Sequence, residues 1–219
     1  MENDIEWQNA YLNLTWMVAN PKKFAKYLKS WNLDKNSVIL DLCCGNGGCF
    51  QVFKDADYKK VFGLDISSNL LSNVKTNVPL MQGDVFQCPV KDNAVDVVFI
   101  NKALHHFLDF APLLSEIKRV LKPNGVFCFV EPRSTWFRNL YHAVFLSPFA
   151  DIWPPLKKFK YACLIAEADT YFPWLKNSHT FFKMLEDKFD FTIESNNKNL
   201  AHYVVKCKNG KTLEDLSTP

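Results

Sequence analysis

The residues best suited to chemistry begin with VILDLCCGNGG, residues 38–48. An apolar strand ends in an acid, Asp41, and runs into a tight glycine turn that opens a helix. Ligands of open parallel sheets bind outside the carboxyl ends of the strands. A glycine turn there lets backbone approach a ligand closely. Asp41 can fix the loop or accept hydrogen bonds from a ligand ammonium. Twenty residues after Gly45, the run KVFGLD ends in Asp65. An acid at that spacing suits a ribose, whose two hydroxyls can donate to one carboxylate. A third acid, Asp84, follows the short run PLMQ and can accept from an adenine amine. Singly, each acid is a turn or capping residue. At the ends of three successive strands, they form the pattern of a nucleoside site.

Two histidines, His105 and His106, follow a fourth apolar run, Val95 to Asn101. They stand on the same edge of the expected sheet. Each reads either as a proton acceptor or as a histidine packing the loop. Glu131, Arg133, Tyr141 and His142 follow a fifth run, Val126 to Val130, and could face a second substrate.

The elements that must position these groups alternate. Strands are expected at Val38–Leu42, Lys60–Asp65, Pro79–Gln82, Val95–Asn101 and Val126–Val130, with a turn at Pro123–Gly125. Helices are expected at Gly47–Lys54, Ser68–Thr76 and Phe110–Lys122. Nearly continuous apolar strands alternating with helices imply a parallel sheet covered on both faces. Before this core, Asn20-Pro21 caps a helix with Phe24, Tyr27, Leu28 and Trp31 on one face. A preceding segment with Trp7, Tyr11 and Trp16 also reads as helical. Residues 136–182 hold thirteen aromatics, more than twice the density elsewhere. A helix over Thr180–Lys188 and strands near Phe189–Glu194 and Ala201–Lys206 complete the pattern. The expected organisation is one domain, 1–219. It has N-terminal helices (1–36), a nucleoside-binding core (37–132), an aromatic cover (133–182), a last helix and strands (183–208) and a polar tail (209–219).

Composition narrows the class. Lys+Arg 26 against Asp+Glu 23 gives a net charge of only +3, which does not call for a nucleic-acid partner. The acidic, polar start MENDIEWQNAYLN does not read as a secretory signal, and no apolar run reaches membrane-spanning length. Seven cysteines lack CxxC or Cys/His ligand spacing, so reduced thiols in the cytoplasm are expected, with no metal site. Glycine is scarce, seven in 219, and six of the seven fall in the core motifs or the turn into the fifth strand. Backbone there must do what a Cβ forbids.

A dinucleotide site would want GxGxxG. Here Phe50 stands at the third glycine, which argues against NAD, and no phosphate-binding P-loop is present. LDLCCGNGG resembles the first motif of class I S-adenosylmethionine-dependent methyltransferases. GLDIS resembles their second motif and QGDV their third. DVVFINKALHHF and EIKRVLKPNGVFCFVEP resemble the segments of strands four and five in the small-molecule, methyltransferase type 11 branch that includes quinone-biosynthesis enzymes. The likeness runs over about residues 37–132.

It implies a Rossmann-like α/β fold with a seven-stranded, mostly parallel sheet whose last strand is antiparallel. Helices lie on both faces, and a helical, aromatic-rich acceptor cover follows. It implies S-adenosylmethionine as cofactor. Asp41, Cys43, Gly45, Asn46 and Gly47 would then line its methionine part. Asp65 and Ile66 would meet ribose and adenine, Asp84 and Val85 the adenine edge, and Asn101 the sulfonium. His106 matches the branch better than His105 as a catalytic histidine. Arg133, Tyr141 and His142 would face the acceptor. Cys43 departs from the glycine usual in the motif, and because it carries a Cβ its backbone is expected to be unstrained.

The sequence reads as a methyltransferase for a small, apolar or aromatic acceptor such as a quinone, polyketide or lipid. The alternatives are a tRNA-modifying methyltransferase and a non-enzymatic cofactor-binding relative. The segment Trp153-Pro154-Pro155-Leu156 beside Lys157–Lys160 could touch a membrane surface or be a solvated face.

Overall fold

The computed structural model describes residues 8–9, 11–12, 20–188, 190–196 and 201–210. Seven strands form one sheet in the order β3-β2-β1-β4-β5-β7-β6. They are β1 (Val38–Leu42), β2 (Lys60–Asp65), β3 (Leu80–Gln82), β4 (Val95–Asn101), β5 (Leu121–Pro132), β6 (Phe191–Asn196) and β7 (His202–Asn209). The first five pair in parallel. β7 inserts between β5 and β6 and is antiparallel to both.

Adjacent residues of each inner strand bury on opposite faces. Leu40, Ile100, Phe127, Phe129 and Val205 join one apolar cluster. Ile39, Phe99, Cys128, Val130 and Val204 join the other. Side chains alternate along a strand, so a sheet covered twice demands apolar residues at every position. Helix α1 (Pro21–Trp31) buries Phe24, Leu28 and Trp31 against the second face, beside α2 (Phe50–Asp55). Asn20 accepts from the Lys23 amide at 3.0 Å and so caps α1. The first face is covered by α4 (Ala111–Val120), with Leu113, Leu114, Ile117 and Val120 inward, and by α7 (Ala168–Lys188), with Trp174, Phe181 and Leu185. Between β5 and α7 lie α5 (Trp136–Phe145), α6 (Pro154–Lys160) and a π-helical turn, Tyr161–Ile165.

Several expected boundaries shift, each for a local reason. The helix expected over Gly47–Lys54 starts only at Phe50, because Gly45 and Gly47 take positive φ. The helix expected over Ser68–Thr76 stops after one turn, Ser68–Leu71, here α3. The Asn73 amide bonds Leu70 O, and its side chain takes the Asn69 carbonyl that a longer helix would use. Pro123–Gly125 is a bulge within a longer β5, with Asn124 at φ 63°. Thr180–Lys188 is the end of the 21-residue α7, which begins at Ala168 and holds Pro173 within it. The C-terminal strands start and end slightly later than expected. Gln8, Asn9, Tyr11 and Leu12 are helical, whereas Trp7, Trp16 and the tail beyond residue 210 lie outside the described residues.

Candidate active site

A cavity of about 560 Å³ opens at the carboxyl ends of β1, β2 and β4. Of the residues singled out in the sequence, it gathers Asp41, Cys43, Gly45, Asp65, Ile66, Asp84, Val85, Asn101, His105, His106 and Tyr141. Asn46, Gly47, Arg133 and His142 lie off its wall. Arg133 sits over the Tyr203 ring at 5.7 Å, and His142 lies behind the wall, bonded to Tyr171.

The glycine loop is held by Asp65. Its Oδ2 accepts from the Gly45 amide at 2.8 Å and its Oδ1 from the Ser67 amide at 2.9 Å. Burial raises its pKa, and the amides of Ser67, Gly45 and Ile66 counter the rise. Two amides occupy two of roughly four lone-pair directions on a carboxylate, so the group can still accept from a diol. Asp41 is different. It is 2% exposed and its carboxylate has no hydrogen-bond partner among the described residues. Burial pushes its pKa well above the usual carboxylate range, and the neighbouring Asp65 charge adds to this. A buried, unpartnered carboxylate facing a cavity is the donor set that a cationic ligand completes.

Cys43 overturns its expectation. Its φ is +58°, the left-handed region that glycine fills at no steric cost, so the departure from the motif is accommodated at a cost of about 1–2 kcal/mol. Burial and the carboxylates around it drive the Cys43 thiol pKa up, and burial first does the same for Cys44 and Cys49. All three stay protonated thiols, unsuited to act as nucleophiles.

Phe50 fits where a glycine would stand in a dinucleotide site because two glycines make room. A Cβ on Gly47 would lie 2.6 Å from the Phe50 ring, and one on Gly63 would lie 2.6 Å from its tip. Asp84 caps the turn that follows β3, accepting from the Phe86 amide at 2.9 Å. Arg119 of α4 pins the chain after that turn through the carbonyls of Cys88, at 2.9 Å, and Val90, at 2.8 Å.

On the far side of the cavity, Glu131 is fully buried and organises the histidine turn, Leu104–His106. It accepts from the Leu104 amide at 2.6 Å and meets His105 Nδ1 at 2.8 Å. His105 Nε2 lies 3.3 Å from Glu167. Burial alone would lower the His105 pKa, but the two carboxylates raise it to about 9. Burial and the adjacent His105 push His106 well below 6.5. At neutral pH the pair is therefore one imidazolium and one neutral imidazole. His105, His106 and Glu167 each bring one metal-ligand-type atom within 4.8 Å of the others. His105 already directs both ring nitrogens at carboxylates, which explains the grouping as an ion-paired array.

Sequence reasoning missed Gln8, Arg138, Glu167 and Tyr171, which all face the cavity. Gln8 accepts from Ser67 Oγ at 2.9 Å, and Arg138 donates to the Tyr171 hydroxyl at 2.7 Å. Gln8 and Arg138 come from distant elements with no shared spacing, whereas Glu167 and Tyr171 stand one helical turn apart. The absence of acids from residues 133–150 was the available hint that Arg138 serves the site.

A seven-stranded sheet in this order, with acids at successive strand tips facing one cavity, defines a nucleoside-binding enzyme of the methyltransferase class. Residues 40–129 match the methyltransferase domain family. The chain is 30% identical over 189 residues to the demethylmenaquinone methyltransferase of Bacillus licheniformis, covering 81% of this chain and 78% of that one. It is 32% identical over 164 residues to the same-named protein of Geobacillus stearothermophilus, covering 69% and 66%. A SAM-dependent methyltransferase from Aquifex aeolicus shares the fold with a TM-score of 0.61 at 17% identity, over 90% of this chain and 92% of that one. One from Mesorhizobium loti does so with 0.57 at 16%, over 87% and 100%. The chain belongs to the class I S-adenosylmethionine-dependent methyltransferases, in the branch that modifies small molecules.

Proposed function

We propose that the chain methylates a small aromatic acceptor of the quinol type, held between the histidine turn and the aromatic cover. The observation that carries this reading is the two-sided cavity. One wall has acids at strand tips, and the other has Phe137, Tyr141, Phe159 and Tyr171. The relatives named demethylmenaquinone methyltransferases support an acceptor of quinone character.

When bound, the cofactor supplies an electrophilic methyl on a sulfonium, so the protein need not provide a nucleophile. Asp41 would pair with the ammonium, Asp65 would take the ribose hydroxyls, and Asp84 the adenine amine. Ile66 and Val85 would flank the base, and Asn101 would border the sulfonium. The aromatic wall excludes water and fixes the acceptor ring for in-line attack.

A quinone ring is electron-poor, so the nucleophilic form is the hydroquinone. Its ring carbon beside a hydroxyl would be the methyl acceptor, and the ring proton it loses in exchange would have to be taken by a protein group. His106, neutral, is the group that takes a proton. His105, held protonated by Glu131 and Glu167, stabilises negative charge on the acceptor oxygen. Cys43, Cys44 and Cys49 are buried or half-buried thiols held protonated, in keeping with a cytoplasmic enzyme. No described helix is long and apolar enough to cross a membrane.

The test is transfer from radiolabelled S-adenosylmethionine to prenylated and plain naphthohydroquinones, catechols and bulk tRNA. We expect label in the naphthohydroquinones. Label in tRNA alone would move the chain to the tRNA-modifying reading. Cofactor binding without transfer to any acceptor would favour the non-enzymatic one.

A further inference from the structure

We propose that the outer face of the cover docks on an anionic lipid bilayer and presents the cavity to acceptors dissolved in it. This rests on the reading that the acceptor is apolar. The face itself stands on two independent observations.

The first is an inverted helix. In α5, Trp136, Leu140 and Val144 recur every fourth residue and so share one side. That side faces out, with Trp136 70% and Leu140 57% exposed. Arg138 and His142 face in, where both bond the Tyr171 hydroxyl, while Asn139 is exposed. A helix of a water-facing surface has the opposite arrangement. The chain after α5 exposes further large apolar residues, Phe149 at 79%, Ile152 at 78% and Trp153. Soluble monomers rarely leave so many large apolar side chains uncovered in one segment. Tryptophan is the residue favoured at the water–lipid boundary.

The second is charge. Residues 146–166 carry Lys157, Lys158 and Lys160 against one acid, Asp151, a net charge of +2. Arg133 and Arg138 turn inward, to Tyr203 and Tyr171, and add nothing to this face. Asp151 is itself paired with Lys160 at 2.8 Å. Lys157 and Lys158 lie exposed on α6, directly after Trp153. Apolar residues beside a basic cluster match a bilayer rich in anionic headgroups better than a second copy of the same positive face, which would repel. The inner side of the cover supplies Phe137, Tyr141 and Phe159 to the cavity, so one thin layer separates bilayer and acceptor site.

Vesicle flotation tests the docking, using phosphatidylcholine with or without a quarter of phosphatidylglycerol. We expect about tenfold or more tighter binding to the anionic vesicles, weakened by added salt. Two variants, Trp136→Ser/Leu140→Ser/Ile152→Ser and Lys157→Glu/Lys158→Glu, should each lose about tenfold in vesicle binding while keeping wild-type affinity for S-adenosylmethionine. No preference for anionic vesicles, or full binding by either folded variant, overturns the proposal. So does a wild-type dimer that the apolar variant dissolves, since the occupant is then a second copy. Methyl transfer without vesicle binding sinks the docking alone. Vesicle binding without transfer to any acceptor sinks the enzymatic reading and leaves the surface.

Discussion

His105 and Glu131 are joined at 2.8 Å in a site that leaves Glu131 no exposure to solvent. The same carboxylate accepts the Leu104 amide at 2.6 Å, so it sets both the ring and the backbone that carries it. Replacing Glu131 by Leu should leave the Leu104 amide and His105 Nδ1 without their buried acceptor and cost about 3–5 kcal/mol of stability. Urea unfolding measures it. A loss below about 1 kcal/mol would mean that Glu131 does not organise the turn.

The same pair gives the fold a pH dependence on the alkaline side. The His105 pKa is about 9 when folded and 6.5 as a free side chain. The folded state binds the extra proton, so this contribution is complete below about 6.5 and disappears as pH rises through 9. The melting temperature of the wild type should therefore fall over that window relative to His105→Gln. Parallel curves for the two proteins would disprove the shift.

Asp41 should show a conflict between stability and binding. It is buried, unpartnered and beside Asp65, and its raised pKa means that ionisation destabilises the fold as pH rises. Asp41→Asn removes that charge and should stabilise the ligand-free protein at pH 7 by about 1–3 kcal/mol, with the gain vanishing in acid. The same change should weaken S-adenosylmethionine by about tenfold or more in calorimetry. Asp65→Ala should weaken both cofactor and fold, because two backbone amides lose their acceptor.

Gly63→Ala should be costly despite an ordinary backbone. Its Cβ would come 2.6 Å from the Phe50 ring and 2.7 Å from Cys44 Sγ. Overpacking of this kind costs about 1–3 kcal/mol. Adding Phe50→Leu should recover part of the loss. Strictly additive effects in the double mutant would show that the ring is not the obstacle.

What the sequence revealed follows from distance along the chain. The strands were legible because a sheet buried twice leaves unbroken apolar runs. Asp41, Asp65 and Asp84 were legible because each ends or follows such a run. Glu167 was not, since it meets His105 across 62 residues from the turn just before α7. Gln8, far from the loops it bonds, carries no spacing signal either. Cys43 misled because side-chain type is a weak guide to φ where neighbouring bonds hold the backbone. Phe50 was read as standing where a dinucleotide site has its third glycine. Its fit, between Gly47 and Gly63, needed coordinates.

β7 runs against its neighbours, pairing His202 with Pro132 at one end and Lys208 with Val126 at the other. Its first residue therefore stands at the rim of the cavity, and its last stands on the opposite edge of the sheet. A fluorophore or an immobilising handle placed on Lys208 stands at the edge of the sheet away from the mouth of the site. That attachment point allows the protein to be fixed to a sensor while lipid and cofactor still reach it.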